Sequence, residues 1–171
     1  VTGVYWLPAL DVEASIEDMD LATWREELRV RVKLLYETMR HCYDDIATEG
    51  TFLVSATRMG GRFGFDDAGP TAPMGGSVSG FTKTYKREHP EALVKVIDLA
   101  PSRKTAALAD LLIDETLADP GPVEVGRTDD GMRWTIGLAV EDLPDEPEDA
   151  EEGLRLVGIV AMADPPRETA A

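Results

Sequence analysis

Blocks of apolar residues alternate with amphipathic stretches along the chain, a pattern typical of alternating strands and helices. The apolar residues from Leu21 to Ile46 recur every three or four positions and predict a long helix over 21–47. Either Asp20, or Thr23 with Glu26 three residues on, could cap its start. Further helices are predicted at about 77–88 and from a Ser102 cap to Leu117. Short apolar runs predict three buried strands, at 1–10, 51–56 and 93–99.

The C-terminal third of the chain predicts a hairpin and one more strand. The runs 122–126 and 132–138 flank Asp129-Asp130-Gly131, and Asp-Gly between two such runs favours a tight hairpin turn. Residues 154–162 are apolar enough for a last strand. Strands that alternate with helices favour a parallel sheet joined by right-handed crossovers. We therefore predict an α/β fold: a truncated Rossmann-like parallel sheet with flanking helices and a C-terminal hairpin.

Charge is distributed unevenly along the 171 residues, and one strongly acidic stretch divides the chain into three segments. The formal net charge is -16, and the stretch EDLPDEPEDAEE at 141–152 holds eight acids and no base. Such a charge argues against nucleic acid and anionic membranes as partners. The acidic stretch lacks the fixed carboxylate spacing of a calcium loop, so we interpret it as a solvated tether. We expect a Rossmann-like domain over 1–140, an acidic linker over 141–153, and a strand and tail over 154–171.

Cysteine and histidine usage excludes several kinds of site. Cys42 is the single cysteine, so no internal disulfide and no thiolate metal cluster can form, which favours a reducing cytoplasm. His41 and His89 lack metal-ligand spacing. His41 and Cys42 are neighbours on a predicted helix and point about 100° apart, so a nucleophile–base pair is not expected. No apolar run reaches the length of a membrane span.

Several motifs in order along the chain resemble the ketoreductase regions of polyketide synthases and related multienzymes, in the short-chain dehydrogenase/reductase family. Such a region resembles two reductase halves in tandem, a truncated structural subdomain and a half that reduces a β-ketoacyl thioester with NADPH. This chain is similar to the structural subdomain over roughly residues 2–140. The motifs are GVYWLPALD (3–11), FLVSATRMGG (52–61), SGFTKTYKREHPEALVKVIDL (79–99) and RTDDGMRWTIGL (127–138).

The catalytic residues that this resemblance would imply are missing. The family uses a Tyr as proton donor, in many members with a Lys four residues later, so that both lie on one helical face. Here Tyr85 is followed by His89 at that distance, and the aligned Tyr and Lys positions hold Thr71 and Gly75. Ser55 lies close to the family's serine pair, at the end of its strand. We therefore expect no catalytic residue: the resemblance leaves Ser55, Thr71 and Tyr85 only as weak remnants, and Ser55 is expected to be structural.

The chain also lacks the dinucleotide site of the family. A pyrophosphate needs a glycine-rich turn of the G-x-G-x-x-G type between a strand and a helix, and neither Gly60-Gly61 nor Gly75-Gly76 follows that pattern. We expect no bound cofactor, with NADPH belonging to the parent system. Arg58 and Arg62 lie in the glycine-rich loop, where they could meet a phosphate but are expected to hold the loop or a partner subdomain.

The sequence thus favours a scaffold that is not catalytic alone. Its expected partner is the catalytic ketoreductase subdomain, from the same polypeptide or another chain, with a homo-oligomer as an alternative. The alternative functions are a divergent NAD(P)-dependent reductase and an acidic protein-interaction module. The tail LRLVGIVAMADPPRETAA (154–171) resembles a segment of P-type cation ATPases, but the phosphorylated motif DKTGT of those pumps is nowhere in the chain.

Overall fold

A computed structural model describes residues 1–67, 69, 71–101, 105–118, 121–137 and 160–163. These residues form a sheet of six strands in the order of the chain. The first four strands are parallel, and the last three are joined as antiparallel neighbours. The strands are β1 (Gly3–Trp6), β2 (Phe52–Thr57), β3 (Leu93–Leu99), β4 (Glu124–Arg127), β5 (Arg133–Gly137) and β6 (Val160–Ala163). The predicted α/β class and the C-terminal hairpin of β4 and β5 are confirmed.

Four α-helices connect the parallel strands: α1 (Leu21–Leu28), α2 (Leu34–His41), α3 (Gly75–Glu88) and α4 (Thr105–Leu117). A π-helical turn, Arg29–Lys33, joins α1 to α2, and short 3₁₀ turns lie at Pro8–Leu10 and Ile16–Asp18. The first strand is shorter than the predicted run because Pro8 has no N–H for a sheet hydrogen bond and begins the first 3₁₀ turn. None of the described helices is long and apolar enough to cross a bilayer.

Helices lie on both faces of the sheet, and their placement corrects the expected handedness of one crossover. Helices α2 and α3 pack with Leu53 and Val94 on one face, whereas α4 packs with Val54 and Ile97 on the other. Strand order advances in one direction throughout, so the crossover through α4 must have the opposite hand from the crossover through α3. The expectation of uniformly right-handed crossovers is therefore wrong for one of them, although that hand is the strong preference for such units.

The long helix begins where predicted but is interrupted. The Asp20 carboxylate accepts a hydrogen bond from the Thr23 N–H at 2.7 Å, so Asp20 is the cap. In the π-helical turn the Arg31 carbonyl accepts a hydrogen bond from Trp6 Nε1 at 2.9 Å. The buried Arg31 side chain forms ion pairs with Glu13 and Glu27. The π-helical turn therefore ties the helix to β1 and to the loop that follows β1.

Helical periodicity identified only part of the core. Leu35, Met39 and Ile46 are fully buried, as their spacing predicts. Leu21 and Leu117 are also apolar positions of predicted helices, but they are 62% and 80% exposed. Periodicity shows which side of a helix is apolar, but burial requires a neighbouring element there. The described residues place no such neighbour against these two positions.

A charged cluster is buried between α4 and the sheet. The fully buried Glu115 carboxylate accepts hydrogen bonds from Arg127 and Arg133, which face each other across β4 and β5. Lys95 on β3 donates to the Glu115 carbonyl at 2.8 Å and lies 3.8 Å from its carboxylate. Two like charges opposite each other, such as Arg127 and Arg133, would destabilise a sheet. The Glu115 carboxylate offsets this repulsion because it binds both arginines, and it thereby joins α4 to the hairpin.

Some predictions fall outside the described residues. These are the Ser102 cap and the acidic linker over 141–153. Most of the 154–171 tail is also outside, but 160–163 pair with β5 as β6, in antiparallel register Trp134↔Ala163 to Gly137↔Val160. A strand is therefore present near the predicted position.

Candidate functional site

The carboxyl ends of the parallel strands form the edge at which open α/β sheets bind ligands. Three connections meet there: the segment after β1, the long loop from Arg58 to Met74 after β2, and the segment after β3. Glu13 from the first segment accepts a hydrogen bond from the Met74 N–H at 3.0 Å, at the start of α3. Burial raises the pKa of Glu13 despite this bond and the nearby Arg31. Glu13 therefore joins the segment after β1 to the start of α3.

Ser55 is sealed inside the protein. It is fully buried in the middle of the sheet, on the face that α3 covers. Its hydroxyl accepts a hydrogen bond from the Thr82 hydroxyl of α3 at 2.8 Å. A group that polarises a substrate carbonyl must reach that substrate, and a buried hydroxyl bonded to a helix does not. Ser55 here joins β2 to α3.

Tyr85 and Thr71 are also engaged in structural bonds. Tyr85 is 3% exposed, and its hydroxyl donates to the Ile46 carbonyl at 2.9 Å. Burial raises the pKa of Tyr85 to about 12, which makes the phenol a poorer proton donor near neutral pH. The Thr71 hydroxyl donates to the Arg58 carbonyl at 2.8 Å within the loop. Each of the three predicted remnants thus bonds to a different part of the protein.

Asp98, at the carboxyl end of β3, organises the loop after β2. Its buried carboxylate accepts hydrogen bonds from the Thr57 hydroxyl at 2.8 Å and the Met59 N–H at 2.6 Å. It also accepts from the N–H groups of Phe63, at 2.8 Å, and Gly61. Burial raises the pKa of Asp98 even though these hydrogen bonds favour its ionised form.

The backbone around Asp98 has the form of an anion-binding nest, in which successive N–H groups converge on one acceptor. Gly60, Gly61 and Phe63 adopt positive φ angles of 114°, 82° and 56°, which turn the N–H groups of the loop toward the carboxylate. A phosphate bound by this loop would need the same donors. Asp98 therefore already accepts the hydrogen bonds of the loop N–H groups from within the chain.

The same loop is fixed against the C-terminal hairpin. A Cβ atom on Gly61 would lie 2.4 Å from the Arg127 carbonyl oxygen, and one on Gly126 would lie 2.2 Å from the Gly61 carbonyl oxygen. The Arg62 guanidinium stacks over the Trp134 ring, with its carbon 4.4 Å from the ring centroid. Only glycines at positions 61 and 126 permit the close approach of the loop backbone to the hairpin backbone. Arg62 thus holds the loop, as the sequence suggested.

Arg58 lies apart from this packing, in a cleft of about 400 Å³ between the segment after β1 and α4. We call it the Arg58 cleft. Its polar lining residues are Arg58 and Asp11. The Arg58 Nε is buried and makes no hydrogen bond within the described part of the chain. The apolar lining consists of Leu7, Leu10, Val12, Leu108, Ala109 and Leu112.

The other candidates show no catalytic arrangement. His41 Nδ1 lies 2.7 Å from the Glu37 carbonyl, one helical turn away, and Cys42 packs partly against the core. His89 is buried between the rings of Tyr43 and Tyr85. Among the described residues no group of three or more His, Cys, Asp or Glu side chains could hold a metal ion.

Sequence reasoning missed Asp98 and the Lys95–Glu115 pair. A signal was present, because LVKVIDL is predicted as a buried strand and yet contains one base and one acid. Buried charges require partners, so both residues had to meet polar groups from other elements.

Comparison with known proteins adds no identification: no protein-family model matches the chain, and no curated protein matches it.

Proposed function

We propose that this chain is a non-catalytic structural subdomain of an NADPH-dependent ketoreductase region, which acts as a scaffold for a separate catalytic half. The observation that carries the proposal is that the chain itself engages the polar groups that a reductase would use, both at the sheet edge and in the core. Asp98 uses the loop N–H groups that a phosphate would need, and Ser55 and Tyr85 are buried in structural hydrogen bonds. The ordered motifs of the sequence supply the family resemblance.

The open end of the sheet supports docking of the catalytic half. Among the described strands β1 has a neighbour on one side only, which leaves its outer backbone groups available for pairing. Tyr5 and Leu7 are exposed at this edge, and Val12 follows in the next segment with 87% exposure. Exposed apolar side chains beside an unpaired strand are features of a protein-binding surface.

A cofactor titration tests the proposal against the alternative of a divergent reductase. The full chain is titrated with NADPH and nicotinamide fluorescence is recorded, with an active ketoreductase as the positive control. We expect no saturable change for this chain. Saturable binding would overturn the scaffold proposal in favour of an enzyme.

Docking is tested separately by mixing the chain with a ketoreductase catalytic half in gel filtration with light scattering. Leu7→Asp places a charge at the β1 edge, and Leu34→Asp is the matched control, since the two leucines are 42% and 40% exposed. We expect complex formation to be lost only in Leu7→Asp. Circular dichroism establishes that both variants are folded. Failure of the unmodified chain to form a complex, or equal loss in both variants, would contradict the docking surface.

A further inference from the structure

We propose that the Arg58 cleft is a binding site for a small amphiphilic carboxylate, a hydrocarbon chain that ends in an acid group. The cleft has the size and the mostly apolar lining of small-molecule sites, with few polar groups to fix orientation. This inference concerns a ligand and does not rest on the scaffold proposal, although Leu7 and Val12 belong both to the cleft lining and to the proposed docking surface.

The position of Arg58 explains why an anion fits there. Arg58 follows β2 directly, and the strand alternation that places Val54 and Ala56 toward α4 points the Arg58 side chain the same way. Its Nε is buried and has no acceptor within the described part of the chain. A buried guanidinium nitrogen that has lost its hydration without gaining an acceptor favours an anion, and a carboxylate can bring one oxygen to Nε and the other to the neighbouring NH₂ group.

The lining explains why the anion should carry a hydrocarbon chain. Leu108 and Leu112 of α4 and Leu10 of the 3₁₀ turn form apolar walls beside the guanidinium. Burial of a hydrocarbon against these walls is favourable, at about 25 cal/mol per Å² of apolar surface. Inorganic phosphate would bind the Arg58 guanidinium but not the apolar walls, and a long-chain alcohol would pack against the walls but bring no charge. Only an amphiphilic acid makes both interactions. Asp11, also at the cleft, disfavours a ligand with more than one negative charge.

Three probes separate the parts of the proposal in calorimetric titrations of the full chain at neutral pH and below micelle-forming concentrations. Decanoate carries chain and charge, decanol carries the chain, and inorganic phosphate carries charge. We expect saturable binding of decanoate and at least about tenfold weaker binding of the other two. Decanol lacks the charged hydrogen bond, and phosphate lacks the hydrocarbon chain that is buried against the apolar walls. Equal affinity for decanoate and decanol would overturn the role of Arg58, and no saturable decanoate binding would overturn the site.

Variants locate the binding at the cleft. Arg58→Gln should weaken decanoate binding about tenfold or more while leaving decanol unaffected, and Arg58→Lys should restore part of it. Arg87→Gln, a change of the same type on an exposed arginine of α3, should have no effect. Ala109→Trp fills the cleft from an exposed position and should abolish the binding of both decanoate and decanol. Unchanged decanoate affinity in Arg58→Gln or in Ala109→Trp would refute the proposal.

Discussion

Replacement of Asp98 by Asn tests whether the loop after β2 is held by a carboxylate. The amide keeps one acceptor oxygen, which can serve Thr57 and Met59, but its NH₂ group would face the N–H of Phe63. A buried donor without an acceptor costs about 1–3 kcal/mol. The neutral amide also avoids the burial of charge that raises the Asp98 pKa. We therefore expect a net loss of about 2 kcal/mol of unfolding free energy.

Urea denaturation followed by circular dichroism measures this loss, and hydrogen exchange measures its local effect. The amides of Met59, Gly61 and Phe63 should exchange faster in Asp98→Asn, because their common acceptor is altered. Asp67→Asn, the same chemical change at an exposed position of the same loop, is the control and should leave both measurements unchanged. If Asp98→Asn is as stable as the parent and its loop amides stay protected, the assignment of Asp98 as the organiser of this loop is refuted.

Other substitutions test the charged cluster and the glycine contact. Hydrogen bonding from Arg133 and the charges of both arginines outweigh burial and lower the Glu115 pKa below 4.5, so the carboxylate stabilises the fold above that pH and loses this effect as the pH falls through the lowered value. Glu115→Gln should therefore cost about 3 kcal/mol at pH 7, and less as the pH falls through the lowered pKa; a cost independent of pH in urea titrations would contradict this. Gly126→Ala should destabilise by about 1–3 kcal/mol because its Cβ meets the Gly61 carbonyl. Gly80→Ala, with open space in α3, should stabilise by about 0.5–1 kcal/mol; the same sign for both changes in thermal melts would count against the contact.

The strands and helices could be predicted because each local pattern agrees with its final environment. LVKVIDL becomes β3 without change of bounds, and Asp129-Asp130-Gly131 does form the turn of the hairpin, with Gly131 at a φ of 82°. The opposite hand of the α4 crossover could not be read from the same patterns, because it depends on which sheet face a helix covers. The exposure of Leu21 and Leu117 has the same cause, since it depends on the neighbours that tertiary structure supplies.

The candidate site was predictable mainly by what it lacks. The absence of a Lys four residues after Tyr85, and of a phosphate-binding glycine pattern, is visible in the chain itself. The internal partners of Ser55 and Tyr85 are not, because Thr82 and Ile46 lie 27 and 39 residues away from them. The role of Asp98 depends on a loop conformation with positive φ angles at Gly60, Gly61 and Phe63, which spacing alone does not specify. Arg58 was singled out from its position, but its cleft is assembled from three separate segments.

The most direct test of the scaffold account is the melting temperature of the full chain with and without NADPH. A dinucleotide that binds the native state at 100 times its Kd would add about 2.7 kcal/mol of stability. For a chain of this size that corresponds to a rise of roughly 5–10 °C. The account predicts no rise, because Asp98 at the sheet edge already accepts the hydrogen bonds of the loop N–H groups. A concentration-dependent rise of that size would contradict it.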